Sequence, residues 1–185
     1  MLRNTSGSYG WIAIILHWLV AVAVIGLFAL GLYMTGLSYY DPFYRQGPFI
    51  HKSIGILLFM LVAFRLVWRL INPRPAPVPT IKRWEHIGAE LAHWGLYLLM
   101  FAVMVSGYLI STADGRAIDV FGWFSVPAWI TGLPRQEDIA GAVHYWLAMV
   151  LIGLAVLHGL AALKHHFWDR DDTLRRMLRV SRNRS

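Results

Sequence analysis

Four apolar stretches recur along the chain, each longer than a globular core helix needs. The first, Trp11–Met34, contains no Asp, Glu, Lys or Arg. The second, Phe49–Ile71, carries Arg65 and Arg69 in its last turns. The third, Trp84–Ile110, is polar over its first two turns and free of charge from Leu91; the fourth is Ile139–Leu163. A transmembrane helix needs roughly 20 mostly apolar residues, so the pattern predicts four spans. The first is too long for the apolar core of a secretory signal, and no small-residue cleavage site follows it; it reads as a retained helix.

The connections are short and polar by comparison. Thr35–Pro48 is punctuated by Asp41-Pro42 and Gly47-Pro48. Asn72–Thr80 reads NPRPAPVPT, and its prolines end the second helix. Ser111–Asp138 is the longest link, and within it Val120–Ile130 is read as lying flat at the interface. The expected fold is all-α: an integral membrane four-helix bundle in one domain, residues 1–185, without internal repeats and with a basic tail over residues 164–185.

Charge orients the bundle. With four spans, 13 Lys and Arg fall on the side of the two termini and four (Arg45, Lys52, Arg116 and Arg135) on the other. The excess belongs in the cytoplasm, so both termini are expected there. The net charge of +7 therefore lies along a membrane surface. A nucleic-acid protein has no need of four apolar spans between its basic segments, and the tail reads as anchorage to anionic lipid.

Composition agrees. Hydrophobic residues make up 57% of the chain and mean hydropathy is +0.51, where soluble domains lie nearer 45–50% apolar. Nine Trp and eight Tyr fit interfacial belts. The absence of cysteine excludes disulfides, cysteine-ligated clusters and thiolate catalysis.

The candidate chemistry lies in histidines, which are costly in hydrocarbon without a partner or a metal. His144 and His158 are 14 residues apart on the fourth span. That is nearly four helical turns, so both rings leave one face, separated by ~21 Å of helix rise. His17 begins the first span and His51 the second. Matching depth pairs His17 with His158 and His51 with His144, which suits two bis-histidine haems. His51 looks shallow, so its helix is expected to begin a turn before Phe49. A single histidine in a span is more often a hydrogen-bonded core residue or proton relay; four at matched depth are harder to explain that way. The spans lack the mid-depth carboxylates that a metal or proton-coupled transporter wants.

The other histidines keep alternatives open. His93 lies inside the third span and is a ligand in place of His17, or a donor to a haem propionate or a quinone. His86, His165 and His166 read as interfacial, since adjacent helical residues such as His165 and His166 point in different directions. Arg65 is 14 residues after His51 and is assigned to an inner haem propionate; Arg69 suits snorkelling to lipid. Lys52 serves the outer haem's propionates or is an ordinary interfacial lysine. Gly26, Gly31, Gly55, Gly95, Gly107 and Gly153 let helices, or a flat macrocycle, approach closely.

Six stretches carry a resemblance: LHWLV at Leu16–Val20, IHKSIG at Ile50–Gly55, FRLVWRL at Phe64–Leu70, NPRP at Asn72–Pro75, LAHWGLY at Leu91–Tyr97, and LHGLAALKHHFWDRDDTLRRML from Leu157 to Leu178. In these the chain resembles the bacterial cytochrome b561 family of four-helix, di-haem membrane proteins. The resemblance covers all four helices, and HHFWDRDDTLRRM is its most specific piece. It implies b-type haem iron held by His17, His51, His144 and His158, an inner-membrane location, and electron exchange with quinone. At least one member type oxidises superoxide at the periplasmic face and reduces ubiquinone. Two function classes follow: a superoxide:ubiquinone oxidoreductase, with Lys52 drawing the anion to the outer site, and an electron-transfer subunit serving a periplasmic redox partner.

Overall fold

The computed structural model describes residues 1–78 and 80–179. Its helices are α1 (Trp11–Thr35), α2 (Gln46–Ile71), α3 (Arg83–Ser111) and α4 (Gln136–Phe167), all long and apolar enough to cross a membrane. The fold is thus all-α in its spans, as the apolar pattern predicts. Arg182 and Arg184 of the basic tail lie outside the described residues.

Local chemistry sets the helix ends. α2 starts at Gln46, three residues before Phe49, with Pro48 in the first turn where its missing N–H costs no helical bond; His51 therefore stands in its second turn. Asn72 stops α2 by donating from Nδ2 to the Trp68 carbonyl at 3.0 Å, and Pro73 follows. Glu85 opens α3 by accepting from the Lys82 N–H at 3.1 Å, the carboxylate half of a capping box. Gln136 opens α4: Oε1 accepts from Leu133 N, and Nε2 donates to the Leu109 and Ile130 carbonyls at 2.9 and 3.1 Å.

The link between α3 and α4 holds regular structure around Val120. It forms an antiparallel hairpin of β1 (Ile118–Val120) and β2 (Phe124–Val126), with Ile118 opposite Val126 and Val120 opposite Phe124. Phe121 and Gly122, both at positive φ, make its turn. Ile118 and Val120 point inward with Asp119 outward, a period of two that a surface helix lacks. Buried Ser53 of α2 pins the turn, donating to the Asp119 carbonyl and accepting from Phe121 N, both at 3.3 Å.

Two compact units make up the chain. One comprises Met1–Val20, Leu61–Tyr97 and the chain from Gly153 onward; the other comprises Ala21–Met60 and Leu98–Ile152. Each takes a segment of all four helices. In the first, the N-terminal segment and the C-terminal 3-10 turn Arg175–Met177 both bond to the proline-rich link: Asn4 Nδ2 donates to Pro73 O at 3.0 Å and Arg176 Nη1 to Ala76 O at 2.7 Å. Trp18 Nε1 also donates to Met177 O at 2.8 Å. In both units large apolar side chains face outward, including Leu91, Leu157, Val22 and Leu98. Water penalises such a surface, and lipid does not.

Candidate functional site

In the unit containing the hairpin, His51 from α2 and His144 from α4 face each other with ring centroids 6.1 Å apart. α3 fixes the second ring. His144 Nδ1 donates to the Val103 carbonyl at 2.9 Å, and Ser106 Oγ lies 3.2 Å from the same nitrogen while donating to Val103 O at 2.8 Å. The proton therefore sits on Nδ1 and leaves Nε2 as a free lone pair, the tautomer a metal ligand needs. His51 Nδ1 is buried without a partner.

Two glycines make room for the rings. A Cβ on Gly107 would lie 3.1 Å from His144 Cε1, and one on Gly31 would lie 3.4 Å from His51 Cε1. Both rings open onto a cavity of about 1000 Å³, at the large end for ligand pockets. Its walls are mostly Leu, Ile, Val, Met and Phe, with Lys52 and Glu137 as its charged residues.

In the other unit three histidines, His17, His93 and His158, lie close together. His17 of α1 and His158 of α4 have ring centroids 6.3 Å apart. His93 of α3 stands 5.2 Å from His158, with its Nδ1 buried and unpartnered. Arg65 Nη2 donates to His17 Nδ1 at 2.9 Å, and its guanidinium lies 5.4 Å from the Tyr97 ring centre. Arg69 donates to Glu90 at 3.2 Å and lies over Trp94 and Tyr97.

These distances test whether the histidines suit a haem. Two imidazoles that share one metal through opposed nitrogens, each at about 2 Å, have centroids about 6 Å apart. The His51–His144 and His17–His158 pairs fit. His93–His158 is about 1 Å too close, so geometry prefers His17 as the partner of His158. An apolar cavity edged by glycine suits a flat macrocycle.

Several participants carry little sequence signal. Val103 acts through its carbonyl, which its side chain does not advertise. Ser106 is a hydroxyl in an otherwise apolar run, and that polarity was its available clue. Tyr97 and Glu90 became neighbours of the arginines only through the pairing of α2 with α3. His165, which reads as interfacial, is half-buried, with its Nδ1 2.8 Å from the buried Asp171 carboxylate. Glu85, His165 and Asp169 bring ligand atoms within 4.8 Å of one another, but Lys164 Nζ bonds both carboxylates and supplies the cluster's cation.

Known proteins align along the whole chain. The family model for prokaryotic cytochrome b561 matches residues 8–179. "Cytochrome b561 homolog 2" of Escherichia coli (strain K12) is 54% identical over 175 residues, covering 95% of this chain and 93% of that protein. "Probable superoxide oxidase CybB" of Yersinia pestis is 31% identical over 177 residues, covering 92% and 96%. "Cytochrome b561 homolog 1" of E. coli K12 is 28% identical over 169 residues, covering 89% and 93%. The chain belongs to the prokaryotic cytochrome b561 family: it is a multi-pass protein of the bacterial inner membrane that binds b-type haem and transfers electrons.

Proposed function

We propose that this member of the family holds two haems, each between two histidines, and passes electrons from superoxide at the periplasmic face to ubiquinone. The observation that carries this reading is the pair of ring separations, 6.1 Å for His51–His144 and 6.3 Å for His17–His158, with one partner of each on α4. Haem held by these histidine pairs would supply a one-electron carrier.

The chain's own residues do the remaining work. The Val103 carbonyl holds His144 in its ligating tautomer. Gly31 and Gly107 keep the walls beside the rings free of side chains. Ligation of His17 through Nε2 would put the proton on Nδ1 and set donor against donor at the Arg65 contact. Arg65 would then be free to donate to a carboxylate, the role the sequence assigns it toward a propionate. The excess of Lys and Arg beside the termini supports a cytoplasmic side for both termini and for the His17–His158 site. Lys52 stands in the wall of the cavity next to His51, where a positive charge draws a small anion.

Superoxide generated beside the purified, haem-loaded protein should reduce a soluble ubiquinone with no other protein present. Lys52→Glu should slow the step severalfold at low salt and reverse its salt dependence, while reduction by a neutral donor stays unchanged. A parent protein inert to superoxide, yet reduced by a periplasmic protein fraction, would replace this reading with that of an electron-transfer subunit.

A further inference from the structure

The motif HHFWDRDDTLRRM, His165–Met177, is used by no ligand role above, yet it is closely built. α4 stops when Trp168 N and Asp169 N donate to the Lys164 carbonyl at 2.9 and 3.2 Å. Arg170, at φ +54°, turns the chain back, and Asp171 N donates to His165 O at 3.1 Å. A helix stop needs only those backbone bonds. Here the turn also delivers a carboxylate: the Asp171 side chain is 2% exposed, and its Oδ2 accepts from His165 Nδ1 at 2.8 Å. Thr173 N holds its other oxygen at 2.8 Å.

A second carboxylate faces the same nitrogen, Asp169 Oδ2 at 3.0 Å. Lys164 Nζ lies 2.7 Å from Asp169 and 2.6 Å from Glu85 at the start of α3. The charged groups around His165 are thus Glu85 from α3, Lys164 from α4, and Asp169 and Asp171 from the return turn. Two acceptors at Nδ1 require a hydrogen there whether the ring is neutral or cationic. Any proton the ring gains or loses therefore sits on Nε2, while the two carboxylates hold the ring's orientation from the Nδ1 side, as a buried aspartate does behind a catalytic histidine. His165 is seven residues after His158 on the same helix. Two turns put it on the same face at ~10 Å, close enough for one charge to feel another.

We propose that His165 is a proton-holding group coupled to the His17–His158 site: Nε2 binds a proton when an electron arrives there and gives it up as the electron leaves. This rests on the quinone reading for its substrate. Ubiquinone takes two electrons, which originate one at a time from the outer donor, and two protons, one on each carbonyl oxygen. Each proton given up at Nε2 is replaced from cytoplasmic water.

The test uses full-length, haem-loaded His165→Gln, in which the amide still donates to Asp171 but cannot hold a second proton. Redox titration without quinone, from about pH 5 to 8 where imidazoles change charge, should show the parent's inner-haem potential falling as pH rises. In His165→Gln that slope should flatten with haem content unchanged. Oxidation of the prereduced variant by soluble ubiquinone should slow at least ~100-fold, the low side of what a positioned acid contributes, and imidazole in the buffer should restore it. Asp171→Asn, which removes one of the two carboxylates facing Nδ1, should shift the slope as well. A parent-like slope in both variants overturns the proposal whether or not quinone is reduced. A slope lost in His165→Gln with no quinone reduction by the parent keeps the proton site and removes the quinone reading. Loss of haem from His165→Gln with an unshifted slope in Asp171→Asn makes the motif a structural lock.

Discussion

The His51–His144 and His17–His158 pairs have nearly equal ring separations, 6.1 and 6.3 Å, in unlike surroundings. The first opens on an apolar cavity, its rings edged by glycines and one ring held by a backbone carbonyl. The second is bordered by two guanidiniums, Tyr97 and a spare histidine. On the proposed two-haem reading, equal ligand geometry with unequal charge would set the two potentials apart. Positive charge near an iron disfavours its oxidised form, so Arg65 would make the second site the better electron acceptor, and electrons would run from the apolar site to the cationic one.

Removing a ligand breaks the comparison outright. His144→Ala should lose one haem and His158→Ala the other, each variant keeping about half the parent's haem per chain with only one low-spin signal. Haem-to-protein ratio and redox titration check it; full haem with unchanged spectra in both would end the two-pair assignment. His93→Ala should be milder than His17→Ala, given its 5.2 Å spacing to His158.

Filling a glycine cradle tests one side alone. A Gly107→Val side chain must displace His144, because even a Cβ lies 3.1 Å from its ring. Overpacking of about 1–3 kcal/mol should weaken haem at that site about 5- to 150-fold and leave the other site's signal intact. Gly31→Ala, at an ordinary 3.4 Å contact, should do far less. Equal loss at both sites would show that Gly107 acts on the whole fold instead of the ring.

Charge removal sharpens the contrast. Arg65→Leu should lower the inner potential by roughly 50–100 mV, the effect of one partly screened charge nearby, and spare the outer one. Arg69→Leu should do less, since Glu90 at 3.2 Å already offsets its charge. Equal, negligible effects would return Arg65 to the class of lipid-facing arginines.

The smallest effect concerns the return turn after α4. Burial pushes the Asp171 carboxyl up, but bonds from Thr173 and His165 outweigh it and hold it below the ordinary 3.8. A depressed carboxyl contributes stability that is complete above pH 3.8 and is lost as pH falls through its folded value. Melting curves of the detergent-solubilised protein should therefore drop below that pH, and Asp171→Asn should remove part of the drop. An identical acid profile in the variant would leave Asp171 without a stabilising role.

Much of this protein was legible in the sequence because lipid is an undiscriminating solvent. Four apolar runs had to become helices, since backbone groups in hydrocarbon must be satisfied within the segment. The 14-residue spacing of His144 and His158 fixed their common face through helix geometry alone. The hairpin at Ile118–Val126 was not legible: three-residue strands carry too few alternations, and Ser53, which pins the turn, lies 66 residues from Asp119. The same limit hid the Val103 carbonyl behind His144, the grip of Arg65 on His17, and the bond of His165 to the buried Asp171. Each depends on which helix faces or chain reversals meet, and that is decided by tertiary packing among long-range neighbours; periodicity along one helix says which residues share a face, and packing alone says what that face meets.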